Sequence, residues 1–295
     1  MASTPARKVR CREIASGDIE ALVALLTRGF QGRPAEFWKQ GLQRQAIRAV
    51  PDGYPRYGFM LEADGRAVGV ILLLFAQKTL RGQSCVTCNV SSWYVDPEFR
   101  SQGALLTAMA LKHKDVTYVN VTPARPTWPI VEAQGFKRYC CGLFFAAPVL
   151  SRAAPGMTLE VIQAHSDKPA GLDDTDFELL ARHAGYGCVS LLCRTGSNVT
   201  PFVFAPFRAR RGRLGIPAMQ LAYCRDVSDF VACAGIIGRH LLLRHRKPIV
   251  IVDSNGPIRG LVGFYTEARG RKYFRGPNPP RLADLTETEL VLYGL

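Results

Sequence analysis

The chain has 295 residues, 47 % hydrophobic and 21 % charged, which suits two packed domains and argues against disorder. Its longest apolar run, residues 67–76, is about half of the roughly 20 residues a spanning helix needs, which excludes such a span. A formal net charge of +14 implies an anionic partner (a nucleotide cofactor, an acyl carrier protein, an acidic glycan or nucleic acid) or a solvated surface that aids solubility.

Periodicity and punctuation give the elements in order. Residues 9–14 alternate as a short strand. Ser16 or Asp18 caps a predicted helix to Gly29, with Ile19, Leu22, Val23, Leu25 and Leu26 on one face. Pro34 opens a second helix to about Ala49. Strands at 58–62 and 67–75 meet at Asp64-Gly65, two residues that tolerate positive φ and so predict a hairpin. A long strand, 84–95, precedes Asp96-Pro97, and the loop 98–102 leads into a helix at 103–113. A buried strand at 116–121 and a short helix around 130–134 follow. Gly135 suits the position just past a helix end, and 136–149 reads as a final strand or strand pair.

Residues 151–157, Ser-Arg-Ala-Ala-Pro-Gly-Met, read as a linker, which divides the chain into domains 1–150 and 151–295. Beyond it come a helix at 175–184, strands at 188–193, 201–207 and 216–224, a helix at 227–244 and a strand at 248–252. A late strand at 261–266 and a helix capped by the box Thr286…Glu289 end the chain. Hairpin, long strand, helix and buried strand thus occur twice, an α/β pattern with mixed sheets that reads as tandem duplication of one fold.

The basic residues 1–10 run directly into the first strand, with no room for a signal peptide, and nine scattered cysteines sit mostly in apolar stretches. Both features point to the cytoplasm, where the sequons at Asn89 and Asn198 are idle. Cys85 and Cys88 lie three apart on a strand, on opposite faces, with no second ligand pair nearby. His240 and His245 stand five apart on a helix and are not expected to share a face. No metal site follows. The basic runs Arg208-Ala209-Arg210-Arg211-Gly212-Arg213, 239–247 and 269–275 lack aromatic platforms and reader motifs, which disfavours nucleic acid.

Arg100-Ser101-Gln102-Gly103-Ala104-Leu105, at a helix start after a strand and a proline, is a good anion site: first-turn N–H groups and the helix dipole both favour negative charge. With its flank, Tyr94-Val95-Asp96-Pro97-Glu98-Phe99, it resembles the acyl-CoA-binding motif of the GNAT superfamily. That motif runs from the fourth strand into a pyrophosphate loop of the form Gln/Arg-x-x-Gly-x-Gly/Ala. Glu132-Ala133-Gln134-Gly135-Phe136 is similar to a later helix-to-strand signature of that family. The resemblance covers residues 9–149 and implies a mixed sheet whose fourth and fifth strands splay. Pantetheine would bond along Trp93, Tyr94 and Val95, and the pyrophosphate of acetyl-CoA or another acyl-CoA would rest on Arg100, Ser101, Gln102, Gly103, Ala104 and Leu105.

Leu105 departs from the Gly/Ala of the pattern. Val131 stands where the family often places a tyrosine acid, and Ser91 and Ser92 where it often places a glutamate base. Candidate catalytic residues are therefore Ser91, Ser92, Asn120, Thr122, Tyr139 and Cys140 at strand ends, together with Asp226, which either lines an acceptor pocket or caps the helix at Val227. Asp253 and Asn255 stand at strand C-termini where such a pocket would open. The second half carries no Arg-x-x-Gly-x motif and is expected to shape the acceptor site.

The expected activity is transfer of an acetyl or longer acyl group from acyl-CoA to an amine or hydroxyl of a small-molecule or glycan acceptor. Two alternatives remain: an N-acyl amino acid synthase fed by acyl carrier protein, and a non-catalytic CoA-binding sensor or scaffold.

Overall fold

The computed structural model describes residues 9–80, 83–211 and 214–294. Most of the basic stretch at residues 1–10, and Gly212 and Arg213 of the run 208–213, lie outside the described residues. The chain forms two compact units. One comprises Met1–Val121, Glu132–Phe136 and Phe274–Pro279; the other comprises Thr122–Val131, Lys137–Tyr273 and Pro280–Leu295.

The first unit begins with β1 (Val9–Glu13), a single 3-10 turn at Ser16–Asp18, α1 (Ile19–Gly29) and α2 (Ala35–Ile47). Leu22, Val23, Leu25 and Leu26 make the buried face of α1, as their spacing predicts. Asp18 does not cap α1 through its side chain. Its carboxylate instead accepts from the Ala15 amide at 2.8 Å and from Arg12 at 2.7 and 2.8 Å, because a guanidinium within reach supplies two charge-assisted bonds.

β2 (Gly58–Ala63) and β3 (Arg66–Leu80) are joined by Asp64 (φ 50°) and Gly65 (φ 74°), the left-handed pair that a two-residue hairpin requires. β3 runs five residues past its predicted end and pairs along its length with β4 (Gln83–Val95). Val68 and every residue from Val70 to Phe75 are buried on both faces of β3, since α1 packs against this strand and so does α3 (Gly103–Ala110). β5 (Thr117–Asn120) lies parallel to β4.

The chain continues through α4 (Trp128–Ala133), β6 (Lys137–Cys140) and β7 (Gly142–Ala146). The sequence leaves 136–149 as the last strand or strand pair of the first fold, but β6 and β7 do not form a hairpin. Cys141 alone separates them, and a hairpin loop needs at least two residues. β7 instead pairs antiparallel with β12 (Ile249–Ser254) on one side and β13 (Gly263–Thr266) on the other, both in the second unit.

The second unit adds β8 (Thr158–Ile162), α5 (Asp174–Gly185), β9 (Val189–Thr195), β10 (Asn198–Arg211), β11 (Leu214–Cys224) and α6 (Val227–His245) before β12. β8 is absent from the sequence expectation: as an edge strand with mostly exposed residues it shows no buried alternation. The residues expected to be a linker, 151–157, run across α6. A Cβ on Gly235 would stand 2.5 Å from the Ala153 nitrogen, and one on Gly238 would stand 2.3 Å from the Val149 nitrogen. Phe202, Phe204, Phe230, Met219, Ile237 and Leu241 form the centre of this unit's core.

β14 (Lys272–Arg275) and α7 (Glu289–Leu292) complete the chain. The expected capping box does not form. Thr286 donates to Asp284 at 2.5 Å and Glu289 accepts from the Thr122 hydroxyl, so a nearby carboxylate takes one side chain and a distant hydroxyl the other. The two seven-stranded sheets have the orders β1-β2-β3-β4-β5-β14-β6 and β13-β7-β12-β11-β10-β9-β8, each mixed in direction. The order antiparallel hairpin, long strand, helix, parallel strand occurs twice, as β2-β3-β4-α3-β5 and as β9-β10-β11-α6-β12. Among the described residues no helix is long and apolar enough to cross a membrane.

Candidate functional site

In the first unit, β4 and β5 pair only as Thr87↔Thr117, Cys88↔Tyr118 and Asn89↔Val119. Beyond that point the strands part, and β4 runs on for six residues without a β5 partner. Asn89 sits at the fork, 2 % exposed, and its side-chain amide donates to the Val119 carbonyl at 3.2 Å. The sequence drew attention to Asn89 only as a sequon. The signal for its real place is an amide side chain inside an otherwise apolar strand, where burial demands a hydrogen-bond partner.

Past the fork, β4 is bulged. The register with β3 slips between Val70 and Leu72, and Ser92 takes φ 47°. A bulge re-aims the residues beside it and is common at sites. The Ser91 and Ser92 hydroxyls stand 3.0 Å apart, Ser91 buried and Ser92 half-buried. Trp93 turns its ring toward Gly103: a Cβ there would lie 3.5 Å from Trp93 Cζ2 and 3.7 Å from Val95 Cγ2. Its indole Nε1 is buried with no hydrogen-bond partner.

Tyr94 lies against Gly29, where a Cβ would come 2.4 Å from the ring, and its hydroxyl donates to Asp96 at 3.1 Å. Burial, then this bond to a carboxylate, pushes the phenol up. Asp96 is itself 4 % exposed and takes both arms of Arg28 at 2.9 and 3.0 Å, while its amide donates to the Val68 carbonyl at 2.8 Å. The end of β4 is thereby fixed to α1 and β3 before the chain turns.

Residues Pro97–Gln102 wind as a 3-10 helix, not an open loop, and pass straight into α3. The Gly103 amide is spent on the Arg100 carbonyl within this turn. Gly103 is buried and faces β4 rather than opening a path to the backbone. α3 itself has no side-chain cap and no acidic residue in its first turn, and the carboxylates of the 3-10 turn before it, Asp96 and Glu98, are paired with Arg28 and Arg66. Arg100, Ser101, Ala104 and Leu105 are exposed around it, and Gln102 is half-buried.

The remaining sequence candidates fall elsewhere. Asn120 ends β5 in the first unit, half-buried. Thr122, Tyr139, Cys140, Asp226, Asp253 and Asn255 belong to the second unit. There Asp226 is the N-cap of α6, accepting from the Ser228 hydroxyl and amide, each at 2.7 Å, and these bonds hold its carboxyl below the usual range. Asn255 clamps the β6–β7 join, accepting from the Cys141 amide at 2.7 Å and donating to the Tyr139 carbonyl at 3.1 Å. Burial pushes the Cys140 thiol up to about 12, and burial with the nearby Asp253 charge raises the Tyr139 hydroxyl. Asp253 is paired with Lys272 at 3.0 Å, the two side chains 1 % and 4 % exposed. Contrary to the expectation from spacing, the His240 and His245 rings lie 5.5 Å apart. Among the described residues no three His, Cys, Asp or Glu gather to hold a metal.

No protein-family model matches the chain, and no curated protein matches its sequence. Solved structures do match its fold. A probable N-acyltransferase from Enterococcus faecalis aligns with a TM-score of 0.57 at 11 % identity, over 95 % of this chain and 74 % of that one. A GCN5-related N-acetyltransferase from Anabaena variabilis gives 0.57 at 14 % identity over the same shares. Another, from Kribbella flavida, gives 0.58 at 14 % identity over 91 % and 71 %. The chain therefore has the fold of GCN5-related N-acetyltransferases, and with such coverage the likeness takes in both copies of the element order.

Proposed function

We propose that this chain is an acyltransferase that moves an acetyl or longer acyl group from acyl-CoA to an amine, or to a hydroxyl, with the donor held in the first unit. One observation carries the reading. β4 leaves β5 after Asn89, bulges at Ser92 and runs through a 3-10 turn into a helix whose own first turn bears no side-chain cap and no carboxylate. The open edge of β4 offers backbone groups at Trp93, Tyr94 and Val95 to an extended amide-bearing arm. The exposed start of α3, with Arg100 beside it, offers positive charge to a pyrophosphate.

In this reading the acceptor nitrogen attacks the thioester carbonyl. Backbone N–H groups at the bulge stabilise the oxyanion, the C–S bond breaks and the sulfur leaves as thiolate, which takes up the proton that the acceptor nitrogen sheds. A thiol with an ordinary pKa of about 8.5 needs little help to leave. Ser91 and Ser92 are the first polar side chains of β4 past the fork; Tyr139, Asn120 and Asp226 are kept as acceptor-side candidates. Gly103 serves packing against Trp93, a role different from the close approach that its motif implies. The second unit, a copy lacking the anion-binding helix start, shapes the acceptor site. Nine free thiols fit a reducing, cytoplasmic setting.

Calorimetric titration with CoA, acetyl-CoA and a long-chain acyl-CoA tests the donor site, and thiol release in the presence of amine acceptors tests turnover. Binding with turnover is the expected result. Binding without turnover over a broad acceptor panel would favour a sensor, and no binding to any of the three would remove the proposal. Arg100→Glu should weaken CoA roughly tenfold or more by reversing charge at the pyrophosphate position.

A further inference from the structure

A second cluster lies wholly within the second unit and takes no part in the donor site. Trp128 opens α4, half-buried, with its indole N–H donating to the Pro123 carbonyl at 3.1 Å, which fixes the ring. The Arg271 guanidinium carbon stands 4.2 Å from the centre of that ring and the Arg125 guanidinium carbon 5.6 Å. Neither arginine has a carboxylate partner among the described residues. Glu289, which approaches the same loop, is engaged by the Thr122 hydroxyl. Lys272, next to Arg271, has its own partner in Asp253 at 3.0 Å. Arg271 Nε is buried and meets no acceptor.

Stacking on an indole uses the faces of a guanidinium and leaves its in-plane N–H donors unspent. A buried donor without an acceptor is unfavourable, and two like charges on one ring repel each other. An oxyanion relieves both at once, because a carboxylate or phosphate accepts two parallel N–H bonds from each fork. We propose that Arg125, Trp128 and Arg271 form a binding site for a small molecule bearing a carboxylate or phosphate group. The site is independent of the acyl-CoA reading, since no residue of the donor site enters it.

The chain has three tryptophans, so 5-fluorotryptophan labelling gives three fluorine resonances, and Trp128→Phe identifies the one that matters. Inorganic phosphate and acetate are titrated in separate arms at constant ionic strength. The Trp128 resonance should shift saturably with at least one anion, the tighter arm naming the group preferred. Arg271→Met and Arg125→Met should each raise the half-saturation roughly tenfold or more, and Arg271→Lys less, because it keeps the charge but loses the fork. Unchanged Trp38 and Trp93 resonances in the variants report that they are folded. A wild-type Trp128 resonance that neither anion moves would overturn the proposal. So would a response identical in Arg271→Met, or a shift confined to Trp93, which would place the anion at the start of α3 instead.

Discussion

The two strand-to-helix junctions, β4 into α3 and β11 into α6, follow one plan and end in opposite electrostatic states. In each, a long strand pairs in parallel with the next for three residues and then parts from it, after Asn89↔Val119 in one copy and Gln220↔Ile251 in the other. In each, an amide side chain stands at the fork. In the first copy, Asn89 reaches a backbone carbonyl and the strand runs on through a 3-10 turn, whose Asp96 and Glu98 are paired with arginines, to a helix with no carboxylate in its own first turn. In the second, Gln220 reaches the Asp253 carboxylate at 3.3 Å, which Lys272 also holds, so charged side chains occupy the fork. The helix that follows is closed by Asp226 and Asp229 in a reciprocal capping box. Arg281 donates to the Arg225 carbonyl at 2.8 Å and also to that of Cys224. Duplication of a scaffold thus does not duplicate a site: two carboxylates at a helix start remove the field that would attract a third anion.

Breaking the fork of the second copy should have the largest effect. Lys272→Met leaves Asp253 buried without its counter-charge, and the loss is expected to be roughly 3 kcal/mol or more in urea unfolding. A double variant that also removes the carboxylate, Asp253→Leu with Lys272→Met, should recover much of that loss.

Next is transfer of the second copy's charge to the first. Ala104→Asp puts a carboxylate in the first turn of α3, and two measurements should move in opposite directions. Thermal stability should rise by about 0.3–1 kcal/mol from the helix dipole, while CoA affinity should fall roughly tenfold. Affinity that stays level would separate the donor site from this helix start.

Removing the cap of α6 is a smaller change. Asp226→Ala should cost about 1 kcal/mol. The Asp226 carboxyl is held below its ordinary range by the Ser228 hydroxyl and amide, so the folded state favours its ionised form. The wild-type advantage over Asp226→Ala should therefore be complete above the ordinary aspartate range and fade as pH falls through the lowered value. Parallel melts of the two proteins from neutral to acid pH check the sign.

The smallest effect is expected at Gly103. The nearest atoms to an added Cβ are 3.5 and 3.7 Å away, an ordinary contact. Gly103→Ala should fold as well as the parent and bind CoA within about a factor of three, with at most ~1 kcal/mol gained from helix propensity. A large loss of affinity would restore the close-approach role that the motif implies.

What could be read from the chain was whatever short range decides. Asp64-Gly65 had to turn because both residues accept positive φ, and the face of α1 followed from the spacing of its leucines. Asp226 offered a local choice between cap and pocket, and the cap lies two residues from its donor. The anion-binding look of Arg100-x-x-Gly was also legible, although the 3-10 winding of Pro97–Gln102 was not, since Asp96 is set by Arg28 and Val68 far away in sequence.

Where the partner was distant, the pattern of residues was silent. β7 is a short, almost wholly buried apolar run, and nothing in Gly-Leu-Phe-Phe-Ala says that Leu143 will face Asp253. Thr286 and Glu289 have the spacing of a capping box, yet Glu289 is taken by Thr122, 167 residues away, while Thr286 turns to its neighbour Asp284. The sequence by itself determined two copies of one element order and the helix start that invites an anion, because propensity, turn chemistry and apolar spacing act over a few residues. The tertiary structure decided which sheet each late strand joins, which fork stays open and which fills with charge, because those choices rest on hydrogen bonds and burial between residues from about twenty to more than a hundred positions apart.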